Sequence, residues 1–145
     1  TLTGKLKKEL LIYYVVAQIF GCLVGVGFAN FFFEHNIYEL STKSRDGIYI
    51  FIAEIIATLG LIIIIFGSIK SGKIAVAASV GLYITAGYWF TSSTSFANPA
   101  VTIARTFTDS FTGISYLNTP YYILAEFFGM MIAIYLVKKL YLSKN

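Results

Sequence analysis

Residues 95–105 read Ser95-Phe96-Ala97-Asn98-Pro99-Ala100-Val101-Thr102-Ile103-Ala104-Arg105, and this short, partly polar stretch decides the fold. It lies between long apolar segments and carries one of the chain's two prolines. Asn is a favoured helix N-cap, and Pro suits the first helical position, where its missing N–H would have no partner anyway. Asn98-Pro99 therefore predicts a helix start, with Ala100 to about Phe107 giving two or three turns. Such a helix is too short to cross a bilayer. At membrane depth it is tolerated only where protein or a water-filled cavity surrounds it.

Composition supports that setting. Hydrophobic residues make up 57% and charged residues 12% of the 145, with a mean hydropathy of +0.76. Soluble domains carry about 25% charged residues, so the chain falls in the membrane class. It opens on Thr1-Leu2-Thr3-Gly4 with no initiating Met and no signal-peptide pattern. That opening reads as the tail of an upstream helix, and the expectation is that residues 1–145 are a fragment. Cys22 stands alone in an apolar run and offers neither a disulfide framework nor metal-ligand spacing. The single His35 falls among loop residues, where a solvated histidine is expected. The net charge of +4 is spread over lysines that flank apolar segments. Membrane topology explains them better than nucleic acid does. No metal and no cofactor is expected.

Four segments are long enough to span, taking about 20 residues as the requirement: residues 10–33, 47–69, 74–90 and 120–141. Lys5, Lys7, Lys8, Lys70, Lys73, Lys138, Lys139 and Lys144 then share one side. Lys43, Arg45 and Arg105 fall on the other, with Glu34, Glu39, Asp46 and Asp109. The lysine-rich side is expected to be cytoplasmic, which puts both termini of the fragment inside a multi-pass cell (plasma or inner) membrane protein. Tyr88, Trp89, Tyr121 and Tyr122 form the expected outer aromatic belt, and Tyr13, Tyr14 and Tyr141 the inner one. Gly21, Gly25, Gly27, Gly60, Gly81, Gly87 and Gly129 supply small positions that let helices approach closely.

One echo runs between the ends. Ala17-Gln18-Ile19-Phe20-Gly21 recurs as Ala125-Glu126-Phe127-Phe128-Gly129. Corresponding helices of two repeats look like this, and broken helices at the repeat interface mark the binding sites of channels and transporters.

On these residues the chain resembles the aquaporin (major intrinsic protein) family. Asn98-Pro99-Ala100 with its short helix is similar to the family's second Asn-Pro-Ala motif. Tyr14-Val15-Val16-Ala17-Gln18 with Gly21 resembles its third spanning helix. Glu54 and Thr58, spaced Glu-x-x-x-Thr, resemble its fourth, and residues 1–8 look like the sequence after the first Asn-Pro-Ala. The resemblance implies an all-α bundle of six spanning helices built from inverted repeats. Its two half-helices meet mid-membrane, and one pore per subunit is assembled in a homotetramer. Two helices and the first half-helix would precede this chain, making residues 1–145 a partial channel domain. Glu54 is then the carboxyl that holds the re-entrant loop. The positive end of each half-helix opposes cations and proton conduction in the water file, and Asn98 aims its NH₂ group into the pore.

The chain also departs from the family pattern. Most members place Arg directly after the second Asn-Pro-Ala, where this chain has Val101. Arg105 follows four residues later on the same helix face, about 6 Å further along. Ala86 stands twelve residues before Asn98, where water-selective members commonly carry His, and Ser95 fills the nearby loop position. Ala86, Ser95, Val101 and Arg105 are thus the candidate selectivity filter, wider and less polar than a water filter. The expected activity is passive passage of water and small uncharged solutes through the lipid bilayer, of the glycerol or metalloid-hydroxide (arsenite) kind. Arg105 could gate the pore or form an ion pair with Asp109. Glu54 and Glu126, ionisable groups at membrane depth, keep a secondary transporter open as the alternative. No enzyme is expected, because Ser92, Ser93 and Ser95 have no histidine partner in the apolar zone.

Overall fold

The computed structural model describes Gly4 and residues 6–142. Thr1, Leu2 and Thr3 of the opening stretch, and the topological lysines Lys5 and Lys144, lie outside the described residues. Every element is helical: α1 (Leu11–Phe32), α2 (Ile48–Ser68), α3 (Lys73–Phe90), α4 (Pro99–Ala104) and α5 (Thr119–Val137), with no strand among the described residues. Short 3₁₀ turns precede α1 and follow α2 and α4, and a π-turn, Lys138–Leu142, follows α5. Each expected span coincides with one of the long helices. Two stretches, Lys8–Phe32 and Ile48–Ser71, are long and apolar enough by themselves to cross a membrane. At 18 residues α3 is shorter, about 27 Å at 1.5 Å per residue.

The chain divides into two compact units. Unit 1 comprises Thr1–Asp46 and Asn98–Ile123; unit 2 comprises Gly47–Ala97 and Leu124–Asn145. Of the three boundaries between them, one falls between Ala97 and Asn98, at the residue that begins the half-helix.

In unit 1, α4 packs on α1. The chain leaving α1 folds back, so that the Tyr38 hydroxyl donates to the Leu23 carbonyl at 3.2 Å. The ring of Tyr38 lies on Gly27, where a Cβ would come within 2.9 Å of its hydroxyl. Beyond Tyr38 the segment runs beside the chain that follows α4. The Glu39 and Ser41 amides donate to the Phe107 and Thr106 carbonyls, and Ser115 N–H donates to Lys43 O at 2.7 Å. Gly113 sits where any side chain would run into the Thr108 carbonyl and Ser41. Ile114 and Tyr122 are completely buried. Tyr122 is therefore not part of an aromatic belt: packing inside the protein takes it, whereas Trp89 stands 88% exposed as a belt residue does.

In unit 2, α2 and α3 form an antiparallel pair joined through Ile69–Ser71 and Gly72, whose φ of +96° suits glycine. The Tyr83 hydroxyl donates to the Ala57 carbonyl at 3.0 Å, and Gly60 leaves the room that hydroxyl needs. The unit 2 part of α5 lies along α2. Gly129 faces the Ile55 carbonyl and Thr58, and Phe128 meets Phe51 edge-on at 6.2 Å. Of the seven small positions singled out from sequence, Gly27, Gly60, Gly87 and Gly129 are closely approached. Gly21, Gly25 and Gly81 have open space around them.

Candidate functional site

The site is built from its cap upward. Asn98 is extended (φ −160°, ψ 121°), and its side-chain oxygen accepts from the Ala100 amide at 2.9 Å, with Pro99 at the first helical position. The Thr102 amide donates to the Asn98 carbonyl at 3.0 Å, closing the first turn. The predicted N-cap and helix start are thus both present. The helix proper ends at Ala104 and continues as a 3₁₀ turn over Arg105–Phe107, so the expected end at Phe107 holds as well. The other side of the Asn98 amide, its NH₂ group, reaches Gln18 Oε1 of α1 at 3.4 Å. Gln18 entered the sequence reading only through the echo and the third-helix resemblance. Its part in positioning Asn98 follows from the packing of α4 on α1.

A cavity of about 550 Å³ lies in unit 1 between α1 and the chain from α4 onward. Val101, Ala104 and Arg105 line it from α4 and its 3₁₀ turn, and Cys22, Val26 and Ala29 from α1. Val101 and Arg105 thus share one face, as their four-residue spacing predicts. Arg105 Nη1 donates to the Thr112 carbonyl at 3.4 Å. The cavity also has a hydroxyl-rich edge. Thr108 Oγ1 bonds Asn30 Oδ1 at 2.7 Å and Ser110 Oγ at 2.9 Å, and Ser110 and Thr112 hydroxyls lie 3.3 Å apart. His35 also borders the cavity and is exposed, as a loop histidine should be. Asn30 was missed from sequence. An Asn near the end of an otherwise apolar helix was the available signal, since such a group has to find a polar partner.

Asp109 does not form the ion pair with Arg105 that the sequence offered. Its carboxylate accepts from the Thr42 amide at 2.8 Å and from the Thr42 and Ser41 hydroxyls at 3.2 and 3.3 Å. The Thr42 amide is the main reason the carboxyl is held below its ordinary range, assisted by the hydroxyls and the charge of Lys43. Close backbone partners on the neighbouring loop outcompete an arginine whose guanidinium is engaged at Thr112.

The remaining candidates belong to unit 2. Glu54 is completely buried and accepts a short hydrogen bond from the Ala97 amide. That bond tethers the loop before Asn98, in which Thr94, Ser95 and Ala97 all have positive φ (63°, 52° and 52°). Non-glycine residues rarely adopt this conformation, and it persists only where surroundings enforce it. Ser95 is buried against Gly87, where a Cβ would lie 2.6 Å from its hydroxyl. Thr91 caps the end of α3 by donating its hydroxyl to the Gly87 carbonyl at 2.6 Å. Thr58, one turn after Glu54, is buried opposite Gly129. Ala86 sits exposed in the last two turns of α3. The candidate filter is therefore divided: Val101 and Arg105 border the unit 1 cavity, and Ala86 and Ser95 belong to unit 2. Glu126 is 1% exposed on α5.

Comparison with known proteins adds one relative. The aquaglyceroporin AqpS of Rhizobium meliloti is 41% identical over 137 residues, covering 94% of this chain and 59% of the relative. The chain thus spans less than two thirds of that protein's length. No family model matches the chain, and no solved structure does.

Proposed function

This chain belongs to the aquaporin (major intrinsic protein) family, and from that premise we propose that it is part of a passive membrane channel for small uncharged solutes wider than water. Glycerol and metalloid hydroxides are the solute class. The observation that carries the reading is the face that α4 turns to the cavity: Val101 stands immediately after Asn98-Pro99-Ala100, with Arg105 one turn beyond it. An apolar side chain at the first position leaves the constriction wider and removes fixed donors. Solutes with several hydroxyls and a carbon skeleton then lose less on entering than they would beside an arginine. The name of the Rhizobium meliloti relative, an aquaglyceroporin, points the same way.

In this reading Ala86 and Ser95 complete the filter with Val101 and Arg105. Asn98 presents its amide to the passing solute with Gln18 fixing its orientation, and Glu54 with Thr58 supports the loop. Passive conduction asks no catalysis of any residue. The protein acts as a homotetramer, residues 1–145 form part of each channel domain, and the lysine-rich ends face the cytoplasm, following the basic-residue rule. A secondary transporter using Glu54 is disfavoured by the bond of that carboxyl to Ala97, which gives it structural work.

Val101→Arg in the full-length protein, reconstituted in vesicles, tests the proposal. Glycerol uptake is expected to fall about tenfold or more, the effect of about 1.4 kcal/mol at a constriction, with water flux retained. Unchanged glycerol uptake would sink the wide-filter reading. Uptake that required a proton or sodium gradient would sink the channel reading itself.

A further inference from the structure

Charge is distributed unequally between the two units. Unit 2 contains two carboxylates, Glu54 and Glu126, and both are buried. Its described cations, Lys70, Lys73, Lys138 and Lys139, are all exposed. They come from three separate pieces of chain: the 3₁₀ turn after α2, the first residue of α3, and the π-turn after α5. Packing gathers these pieces at one end of the unit. The hydroxyl of Tyr141, in the π-turn, lies 3.3 Å from where a Cβ of Gly67 would stand, so the tail of α5 rests on the last turn of α2. Gly72 turns the chain tightly from Lys70 to Lys73. Beside the lysines stand exposed apolar side chains: Ile69 at 44%, Ile74 at 86% and Leu140 at 54%.

Like charges assembled in a unit whose two acidic side chains are both buried repel one another and attract a common anion. The partner must also tolerate the apolar collar. A soluble anion meets the first condition only. A phospholipid with a net negative headgroup meets both, with its phosphate among the ammonium groups and its acyl chains along Ile69, Ile74 and Leu140. We propose that this end of unit 2 is a binding surface for anionic phospholipid headgroups, with Lys70, Lys73 and Lys138 as the phosphate-contacting residues. The lysines keep their charged tips at headgroup level while their stems lie along the apolar collar, as long basic side chains do at interfaces. Juxtamembrane lysines each favour an anionic surface, and the attraction weakens with salt.

The test is the full-length protein reconstituted in phosphatidylcholine vesicles containing a few mole per cent of spin-labelled phosphatidylglycerol. The protein is expected to prefer phosphatidylglycerol over labelled phosphatidylcholine by about threefold, a preference that high salt removes. In K70Q/K73Q/K138Q the preference should fall to about one, with the fold unchanged because all three side chains are exposed. The matching Lys→Arg triple variant should keep it, and Lys43→Gln, in unit 1, should leave it unaltered. Equal preference in the wild type and the triple Gln variant would overturn the proposal. Displacement of the labelled lipid by inorganic phosphate at constant ionic strength would also overturn it, in favour of a soluble-anion site.

Discussion

The half-helix is approached through one kind of loop and left through another. Before Asn98, in unit 2, the chain from Thr91 to Ala97 is almost wholly buried and holds three non-glycine residues at positive φ. Its ties to the helices include the bond from the Ala97 amide to the buried Glu54 carboxyl and that from the Thr91 hydroxyl to the Gly87 carbonyl. After Ala104, in unit 1, the chain runs partly exposed and is held by many ordinary contacts to the segment after α1. Arg45 alone donates to the Gly113 carbonyl at 2.7 Å and the Phe111 carbonyl at 2.9 Å, while its own amide donates to Asn118 Oδ1 at 3.0 Å. The buried loop is tied to a buried carboxyl, and the exposed loop to the backbone of a neighbouring segment. A tie buried among helices holds backbone in a conformation it would not choose, so that carbonyl directions are fixed. Ties at the surface tolerate the loss of one member better, because water can replace the lost partner.

Three substitutions measure that difference. Glu54→Ala should have the largest effect. It removes the acceptor of the Ala97 amide, and an unsatisfied buried donor costs about 1–3 kcal/mol. Relaxation of the residues held at positive φ, each strained by of order 1–3 kcal/mol, offsets part of that cost but lets the loop leave its native conformation. The thermal transition of the detergent-solubilised protein should drop by several degrees and solute uptake should be lost, while Glu54→Gln, which keeps an acceptor oxygen, recovers part of both. A Glu54→Ala protein as stable as wild type would show that the loop does not depend on the buried carboxyl. Arg45→Ala should come second. It deletes the side-chain bonds to the Gly113 and Phe111 carbonyls, each worth about 1 kcal/mol, and leaves the backbone pairing of the two segments in place. Its loss should be smaller than that of Glu54→Ala; an equal loss would break the contrast.

Asp109 gives the smallest and most specific effect. Its carboxyl is lowered from 3.8, chiefly by the Thr42 amide. A group whose folded pKa is depressed contributes stability above its unfolded value and loses that contribution as pH falls through the folded one. The contribution is therefore intact at neutral pH and disappears below about pH 4. Comparing the acid slope of the melting temperature between the wild type and Asp109→Asn checks this, and the variant should have the shallower slope. An identical slope would mean that the Ser41 and Thr42 bonds do not distinguish the charged carboxylate.

Much of this was legible in the chain itself. The cap at Asn98, the length of the half-helix through Phe107 and the places of the four long helices follow from local rules. Capping geometry, proline's fixed φ and uninterrupted apolar length act within a few residues and need no distant partner. Val101 and Arg105 on one face is likewise helix geometry. Partner choice was not legible. Asp109 goes to Ser41 and Thr42, which are 68 and 67 residues away in sequence, and not to the arginine one turn before it. Asn98 meets Gln18, 80 residues away. Tyr122, an aromatic near a helix start, reads as a belt residue until packing removes it from the surface. A sequence pattern specifies what a residue can do within its own turn of helix. Which of several competent donors or acceptors it meets depends on which distant backbone is brought within about 3 Å, and only the tertiary structure decides that.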